Sequence, residues 1–73
     1  MEKMLDGMPE LIEEEANDAM KYAKLAMAHR ADHPDIADMF MQLSGEELKH
    51  MKMISDHMTA MVEKLHAQYN AME

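Results

Sequence analysis

Glu47 and His50 are the residues of this chain whose types and spacing are best suited to chemistry. They form a Glu-x-x-His motif, and residues three apart on a helix present their side chains on one face. At about 100° per residue, Glu47 lies in the middle of an otherwise apolar stripe. A carboxylate buried there without a partner would be very costly. It needs a cation, a basic side chain or a proton, and the spacing favours a metal ion held jointly with His50.

Two segments carry apolar stripes with a carboxylate at the centre. The stripe around Glu47 consists of Ile36, Phe40, Leu43, Met51, Ile54, Met58, Met61, Val62 and Leu65. The stripe around Glu15 consists of Met8, Leu11, Ile12, Ala19, Tyr22 and Ala26. The earlier segment also has a shallower second strip, made by Ala16, Met20, Ala23 and Met27. Two apolar strips on one helix indicate packing on two sides, which a lone hairpin does not supply.

The chain is predicted to be all-α, one domain over residues 1–73 folded as an antiparallel two-helix hairpin. Residues 1–7 are expected to be a short lead-in, because Pro9 suits the first turn of a helix. Helix 1 should then span about 9–31. Asp32-His33-Pro34-Asp35 is the clear interruption, since the residue before a proline is pushed out of helical geometry. The turn should occupy 32–34, with His33 or Asp32 as cap, and helix 2 should span about 34–70.

Gly45 leaves one question about helix 2 open. Ser44-Gly45-Glu46-Glu47 has the form of a capping box that could start a new helix. We expect continuity instead, because the apolar stripe keeps its phase across Gly45, although a break or kink there stays an alternative. Gly45 lies opposite the stripe, where its small size could admit a neighbouring chain.

The register of the hairpin can be worked out from these boundaries. Glu15 lies 16 residues before the predicted end of helix 1, and Glu47 and His50 lie 13 and 16 residues after the start of helix 2. At 1.5 Å per residue, all three lie roughly 20–24 Å from the turn. Two carboxylates and an imidazole should therefore meet at one level between the helices.

Composition excludes several classes of function. The chain has 73 residues, no cysteine and a formal net charge of −8. Disulfides, thiolate zinc sites and iron–sulfur clusters are excluded, and the acidic balance argues against nucleic acids and anionic membranes. No apolar run approaches a membrane span, and no signal peptide is visible at the start. We expect a cytoplasmic protein, and one so short should need a metal or partner for stability.

The ligand set defines the expected assembly. One hairpin supplies Glu15, Glu47 and His50, which suits iron(II), manganese or zinc. Two hairpins related by a two-fold axis supply four glutamates and two histidines, the set used by di-iron carboxylate four-helix bundles. We therefore expect a homo-oligomer, at least a dimer, that completes a four-helix bundle and shares the metal site between chains.

Two stretches resemble half of a ferritin-like bundle of the rubrerythrin type. The first is Glu15-Ala16-Asn17-Asp18-Ala19-Met20-Lys21-Tyr22, and the second comprises 33–40 and Leu43-Ser44-Gly45-Glu46-Glu47-Leu48-Lys49-His50. The match covers roughly 10–58. Encapsulated ferritins are similar in being two-helix chains that complete the metal site across a dimer interface. The chain lacks the second helix pair and the cysteine-ligated electron-transfer domain of rubrerythrin.

The resemblance implies a role for each matching residue. Glu15 and His50 would be terminal ligands of a di-iron site, Glu47 a bridging ligand, and Tyr22 a residue that supports the ligands. Zinc or manganese could substitute for iron. An encapsulin shell would be a possible partner, and the protein compartment a possible location, but no cargo-targeting tail is visible after Tyr69-Asn70-Ala71-Met72-Glu73.

Two further residues lie close to the motif in sequence. His57, two turns beyond His50, could be an auxiliary ligand, although a boundary histidine is the simpler interpretation. Asp18, one turn from Glu15, could also contribute, although a solvated position is simpler. His29, near the end of helix 1, is expected to interact favourably with the helix dipole. His33 and His66 are expected to lie on the surface.

These observations predict iron binding and oxidation of Fe(II) by O₂ or peroxide at the shared site. Two other functions stay open. One is a non-catalytic helical assembly or adaptor in which Glu15 and Glu47 pair with bases across an interface. The other is a copper-binding protein, for which the 12 methionines, Met51-x-Met53 and His57-Met58-x-x-Met61 provide ligands.

Overall fold

The computed structural model describes the backbone of residues 2–72 and the side chains of 6–72. It contains two helices, α1 over Glu2–His29 and α2 over Pro34–Ala71. They lie antiparallel and side by side in a hairpin with extents of 63 × 15 × 11 Å. The predicted all-α helical hairpin is confirmed for this part of the chain. Neither helix carries an apolar stretch long enough to cross a bilayer within the described residues.

The start of α1 differs from the prediction. The sequence places it near Pro9, but the helix begins at Glu2 and Pro9 lies inside it. A proline inside a helix removes one backbone hydrogen bond and costs about 3 kcal/mol. Gly7 and Met8, just before Pro9, are half-buried. The expected lead-in over 1–7 is therefore wrong for residues 2–7, and residue 1 lies outside the described part.

The turn follows the expected proline chemistry. α1 ends at His29, two residues before its predicted end, and α2 begins at Pro34. His33 is the N-cap of α2, with no hydrogen bond from its side chain to the helix backbone. Its N–H donates to the His29 carbonyl at 2.8 Å, and its carbonyl accepts from the Ala37 N–H at 2.9 Å. His33 thus closes the last turn of α1 and opens the first turn of α2.

α2 runs without a break through Gly45. The alternative of a new helix starting at Ser44 is therefore wrong. A Cβ built at Gly45 would meet no atom within 4 Å among the described residues. The position is open in the single hairpin.

A seam of small residues forms the line of closest contact between the helices. Its members are less than 9% exposed: Ala19 at 5%, Ala26 at 3%, Ala37 at 6% and Ser44 at 6%. They recur every seven residues on each helix, which keeps them on one face. The Ser44 hydroxyl donates to the Ala19 carbonyl at 2.6 Å, across the interface. Side chains this small let the two backbones approach closely.

The larger apolar residues flank the seam and are only partly covered. No described large side chain is fully buried. Leu11, expected on the inner stripe, is 47% exposed, and Ile36 and Val62 are 37% and 40% exposed. The shallower strip of α1 faces outward, with Met20 at 56% and Met27 at 63%. The inner stripes predicted from hydrophobicity are thus correct in their centre and too wide at their edges.

α2 is longer than its partner helix at the end far from the turn. The Ser44–Ala19 contact sets the register, and continuing it places the start of α1 at Glu2 level with Met61. The last ten residues of α2, to Ala71, extend beyond α1. Tyr69 there is 66% exposed.

Candidate metal centre

Glu15 and Glu47 lie one helical turn beyond the Ser44–Ala19 contact, and His50 follows Glu47 by nearly one further turn. Glu15 is four residues before Ala19 on α1, and Glu47 is three residues after Ser44 on α2. Because the helices are antiparallel, both steps lead away from the interhelical turn and toward the same level. The small-residue seam therefore fixes the height at which the three side chains meet.

The three side chains converge as the register predicted. The His50 Nδ1 atom lies 3.3 Å from Glu15 Oε2 and 3.7 Å from Glu47 Oε2. One donor atom from each residue lies within 4.8 Å of the other two. No other group of three or more such ligands occurs among the described residues. The predicted meeting of two carboxylates and an imidazole is confirmed.

Exposure differs among the three side chains. Glu47 and Glu15 are 19% and 25% exposed, whereas His50 is 55% exposed. The carboxylates are therefore partly withdrawn from water between the helices, and the imidazole closes the group from the outer side. The face that carries His50 is open to solvent or to a second molecule.

The donor set fits a divalent metal ion. Carboxylate oxygens with one imidazole nitrogen suit iron(II), manganese and zinc. Bonds of about 2.0–2.2 Å to a single ion place its donor atoms roughly 3–4 Å apart. The separations in this hairpin, up to 4.8 Å, are slightly wider, so small rotations of these side chains would bring the donors to an ion. Over residues 6–72, neither carboxylate has a lysine or arginine within ion-pairing distance.

The other candidate residues do not join this group. Asp18 and His57 are exposed and lie outside the cluster. Tyr22 is half-buried, and its ring stacks on Phe40 with centroids 6.2 Å apart. This aromatic contact is level with the middle of the seam, on the turn side of the Ser44–Ala19 hydrogen bond and so away from the cluster. Met53, expected to serve a copper site, is 61% exposed.

Glu46 behaves as a residue on the flank of α2. Its side chain is exposed, as are those of Glu13 and Glu14. An exposed glutamate and a partly buried one are therefore neighbours in the sequence, and Glu46 is a matched control for Glu47.

Sequence reasoning missed the positioning role of Ser44. The residue was considered only as part of a capping box, yet it is 6% exposed and makes the hydrogen bond that joins the helices beside the cluster. A signal was present in the seven-residue spacing of Ala19 and Ala26 and of Ala37 and Ser44. Small residues carry little hydrophobic weight, so the larger side chains beside them dominated the pattern.

No family model, curated protein or solved structure matches this chain.

Proposed function

We propose that this protein is a ferritin-like di-iron carboxylate protein that binds Fe(II) between two copies of the hairpin and promotes its oxidation by O₂ or peroxide. The observation that carries the proposal is the convergence of Glu15, Glu47 and His50 within 4.8 Å of one another. These are the residue types that four-helix di-iron proteins use at such spacing, half of them from each helix pair.

The accessible surface supports a second copy as the partner. A compact folded chain of 8.4 kDa exposes roughly 4,600 Å², but this hairpin exposes 5900 Å². The excess is about 1,300 Å², more than the roughly 800 Å² that each partner loses in a standard interface. Exposed apolar side chains on the His50 face of α2, such as Met39 and Met53, contribute to it. Dimerisation on the open face of the cluster would cover such surface and bring two ligand sets together.

Charge also favours a cation at the shared site. Each chain has a formal net charge of −8, so a dimer accumulates negative charge, and four of its carboxylates would come from Glu15 and Glu47. Buried carboxylates without counter-charge are strongly unfavourable. The only basic side chain within ion-pairing distance of them in the described hairpin is that of His50. A histidine binds a metal as the neutral imidazole, so divalent ions would provide the positive charge.

The carboxylates and the imidazole of the three ligand residues have different roles in this proposal. The two carboxylates neutralise the bound Fe(II) substrate and favour its oxidised, more highly charged form, since anionic oxygen ligands stabilise the greater charge. His50 completes the set on the open side, where oxidant can approach. Iron itself supplies the redox chemistry: each Fe(II) gives up one electron, and the electrons of two Fe(II) reduce O₂ to peroxide, or peroxide to water, with protons taken from solvent.

Iron oxidation by matched variants tests the proposal. Fe(II) added in air to the wild type should be oxidised faster than in buffer, with a rapid phase that saturates near two irons per dimer. Glu47→Ala should remove the rapid phase and tight metal binding, while Glu46→Ala on the exposed flank should retain both. His50→Ala should remove the rapid phase without unfolding the chain. Zinc should inhibit, because it takes the same ligands but has no redox chemistry.

Three results would contradict the proposal at separate points. Equal metal loss from Glu46→Ala and Glu47→Ala would contradict the assigned ligands. Equal oxidation rates for wild type and His50→Ala would contradict the ferroxidase activity. A stable monomer in sedimentation at micromolar concentration would contradict the shared site. Two metals bound per dimer without faster oxidation would indicate a structural metal site instead.

A further inference from the structure

His29 and His33 form a second group of nitrogen donors beside the interhelical turn, away from the cluster of Glu15, Glu47 and His50. They are four residues apart, a spacing that places side chains one above the other on a helix. Although α1 ends at His29, the His33 N–H donates to the His29 carbonyl at 2.8 Å, which keeps the two residues one helical turn apart. The φ of His33 is −139°, outside the helical range, so its side chain leaves the backbone in a different direction from that of a helical residue. The two imidazole ring centroids lie 6.3 Å apart, with planes tilted by 49°.

From this geometry we infer that His29 and His33 hold a divalent transition-metal ion of the nitrogen-preferring class, zinc(II) or copper(II), which fastens the interhelical turn. Imidazole nitrogens bind such ions at about 2.0–2.1 Å, and with the ring radius added this places two rings on one tetrahedral ion roughly 5 Å apart, centroid to centroid. The observed separation is 6.3 Å. The rings would have to approach by about 1 Å to share an ion, and we expect rotation of the exposed His33 side chain to supply this.

Neither imidazole has another task that would compete with metal binding. His33 is the N-cap of α2, yet its side chain makes no capping hydrogen bond. The His29 ring packs on Phe40, with centroids 6.1 Å apart, which limits its motion without occupying its nitrogens. His33 is exposed and His29 half-buried, so an ion could reach the pair from solvent.

The local charge is suited to a cation. The C-terminal end of α1 carries the negative end of that helix dipole. The positive end of α2 is also close, but Asp35 in its first turn offsets it. Asp32 adds a further negative charge next to His33, against the single positive charge of Arg30.

The site is distinct from the carboxylate cluster in position and in chemistry. His29 lies 14 residues from Glu15 on the same helix, about 21 Å at 1.5 Å per residue. Two imidazoles without a carboxylate prefer copper(II) and zinc over iron(II) and manganese. An ion there would join the last turn of α1 to the residue that opens α2, and would stabilise the folded hairpin more as its free concentration rises above the dissociation constant.

Metal titration of the full chain, followed at each of its five histidines, tests the inference. Copper(II) added in substoichiometric amounts should broaden the imidazole NMR signals of His29 and His33 together. Zinc titrated by calorimetry should show one site per chain that is lost in both His29→Gln and His33→Ala. Loss of a direct ligand should weaken that site at least about tenfold, since even an outer partner costs that much. His66→Ala, an exposed histidine far from the turn, is the matched control.

The stability readout separates a built site from general histidine binding. Zinc should raise the melting temperature of the wild type and of His66→Ala, and should raise that of His33→Ala less. His33→Ala keeps the fold because its side chain makes no capping bond, and far-UV circular dichroism checks this. Uniform broadening of all five signals, or unchanged zinc binding in both variants, would overturn the inference. Either result would leave the proposal for Glu15, Glu47 and His50 standing, because those ligands are unaltered.

Discussion

Ser44→Val should separate the two helices where they approach most closely and, through them, the metal ligands. The Ser44 side chain is 6% exposed and faces the Ala19 backbone, to whose carbonyl its hydroxyl donates at 2.6 Å. Valine replaces that hydroxyl with a branched apolar group that is larger and cannot donate. Because the Ser44 oxygen already lies 2.6 Å from the Ala19 carbonyl oxygen, we expect the helices to move apart or the valine side chain to take a strained rotamer.

The cost can be worked out from two contributions. Losing the hydrogen bond costs about 0.5–1.5 kcal/mol. Overpacking a close contact adds about 1–3 kcal/mol. The sum for Ser44→Val is about 2–4 kcal/mol of unfolding free energy. Ser44→Ala loses the same hydrogen bond but gains helix propensity, which returns roughly 0.5 kcal/mol. The Ala19 carbonyl also keeps its partner within α1, so Ser44→Ala should cost at most about 1 kcal/mol.

Urea denaturation at one fixed protein concentration measures the difference. The concentration must be held constant because association adds to apparent stability. Ser44→Val should have a lower transition midpoint than Ser44→Ala with a similar slope. Ser44→Val should also weaken metal binding more than Ser44→Ala, because Glu15 and Glu47 lie one turn from the altered contact. If Ser44→Val proved as stable as Ser44→Ala, the close approach of the helices at this point would be refuted.

Four further substitutions examine separate features of the hairpin. Gly45→Ala and Gly7→Ala should each stabilise by about 0.5–1 kcal/mol, since alanine favours helix and a Cβ at either position meets no atom of the described residues within 4 Å; thermal melts showing a loss for Gly45→Ala alone would indicate that a second copy packs there. Tyr22→Phe should leave metal affinity unchanged in calorimetry, whereas a loss of about 10–100-fold would show that its hydroxyl orients a ligand. Lys52→Ala should leave the melting temperature unchanged at neutral pH, because the Lys52 and Asp56 side chains are 78% and 66% exposed and such pairs contribute little to stability. The hydrogen bond to Asp56 raises the pKa of Lys52, so the small contribution of the pair is present at neutral pH and is lost as the pH rises through that pKa; a clear decrease in melting temperature would contradict this view of the pair.

The sequence alone determined the kind of fold and the level of the candidate site. Helical periodicity, the proline after His33 and the absence of strand patterns predict two antiparallel helices, and the structure has them. Glu15 and Glu47 stand at the centres of apolar stripes, which places both on the inner face of the hairpin. Their distances from the turn follow from the number of intervening residues and the rise per residue. That arithmetic needs only local geometry, which is why the convergence with His50 could be predicted.

Only the tertiary structure decided where α1 begins and which residues form the contact between the helices. The preference of proline for the first turn of a helix places the start near Pro9, but the helix continues through Pro9 from Glu2, with Gly7 and Met8 half-buried. Hydrophobicity points to the large side chains, whereas the closest contact is made by Ala26, Ala37 and their neighbours in the small-residue seam. How closely two backbones approach depends on both helices at once, and a property of a pair is not encoded in the pattern of either helix alone.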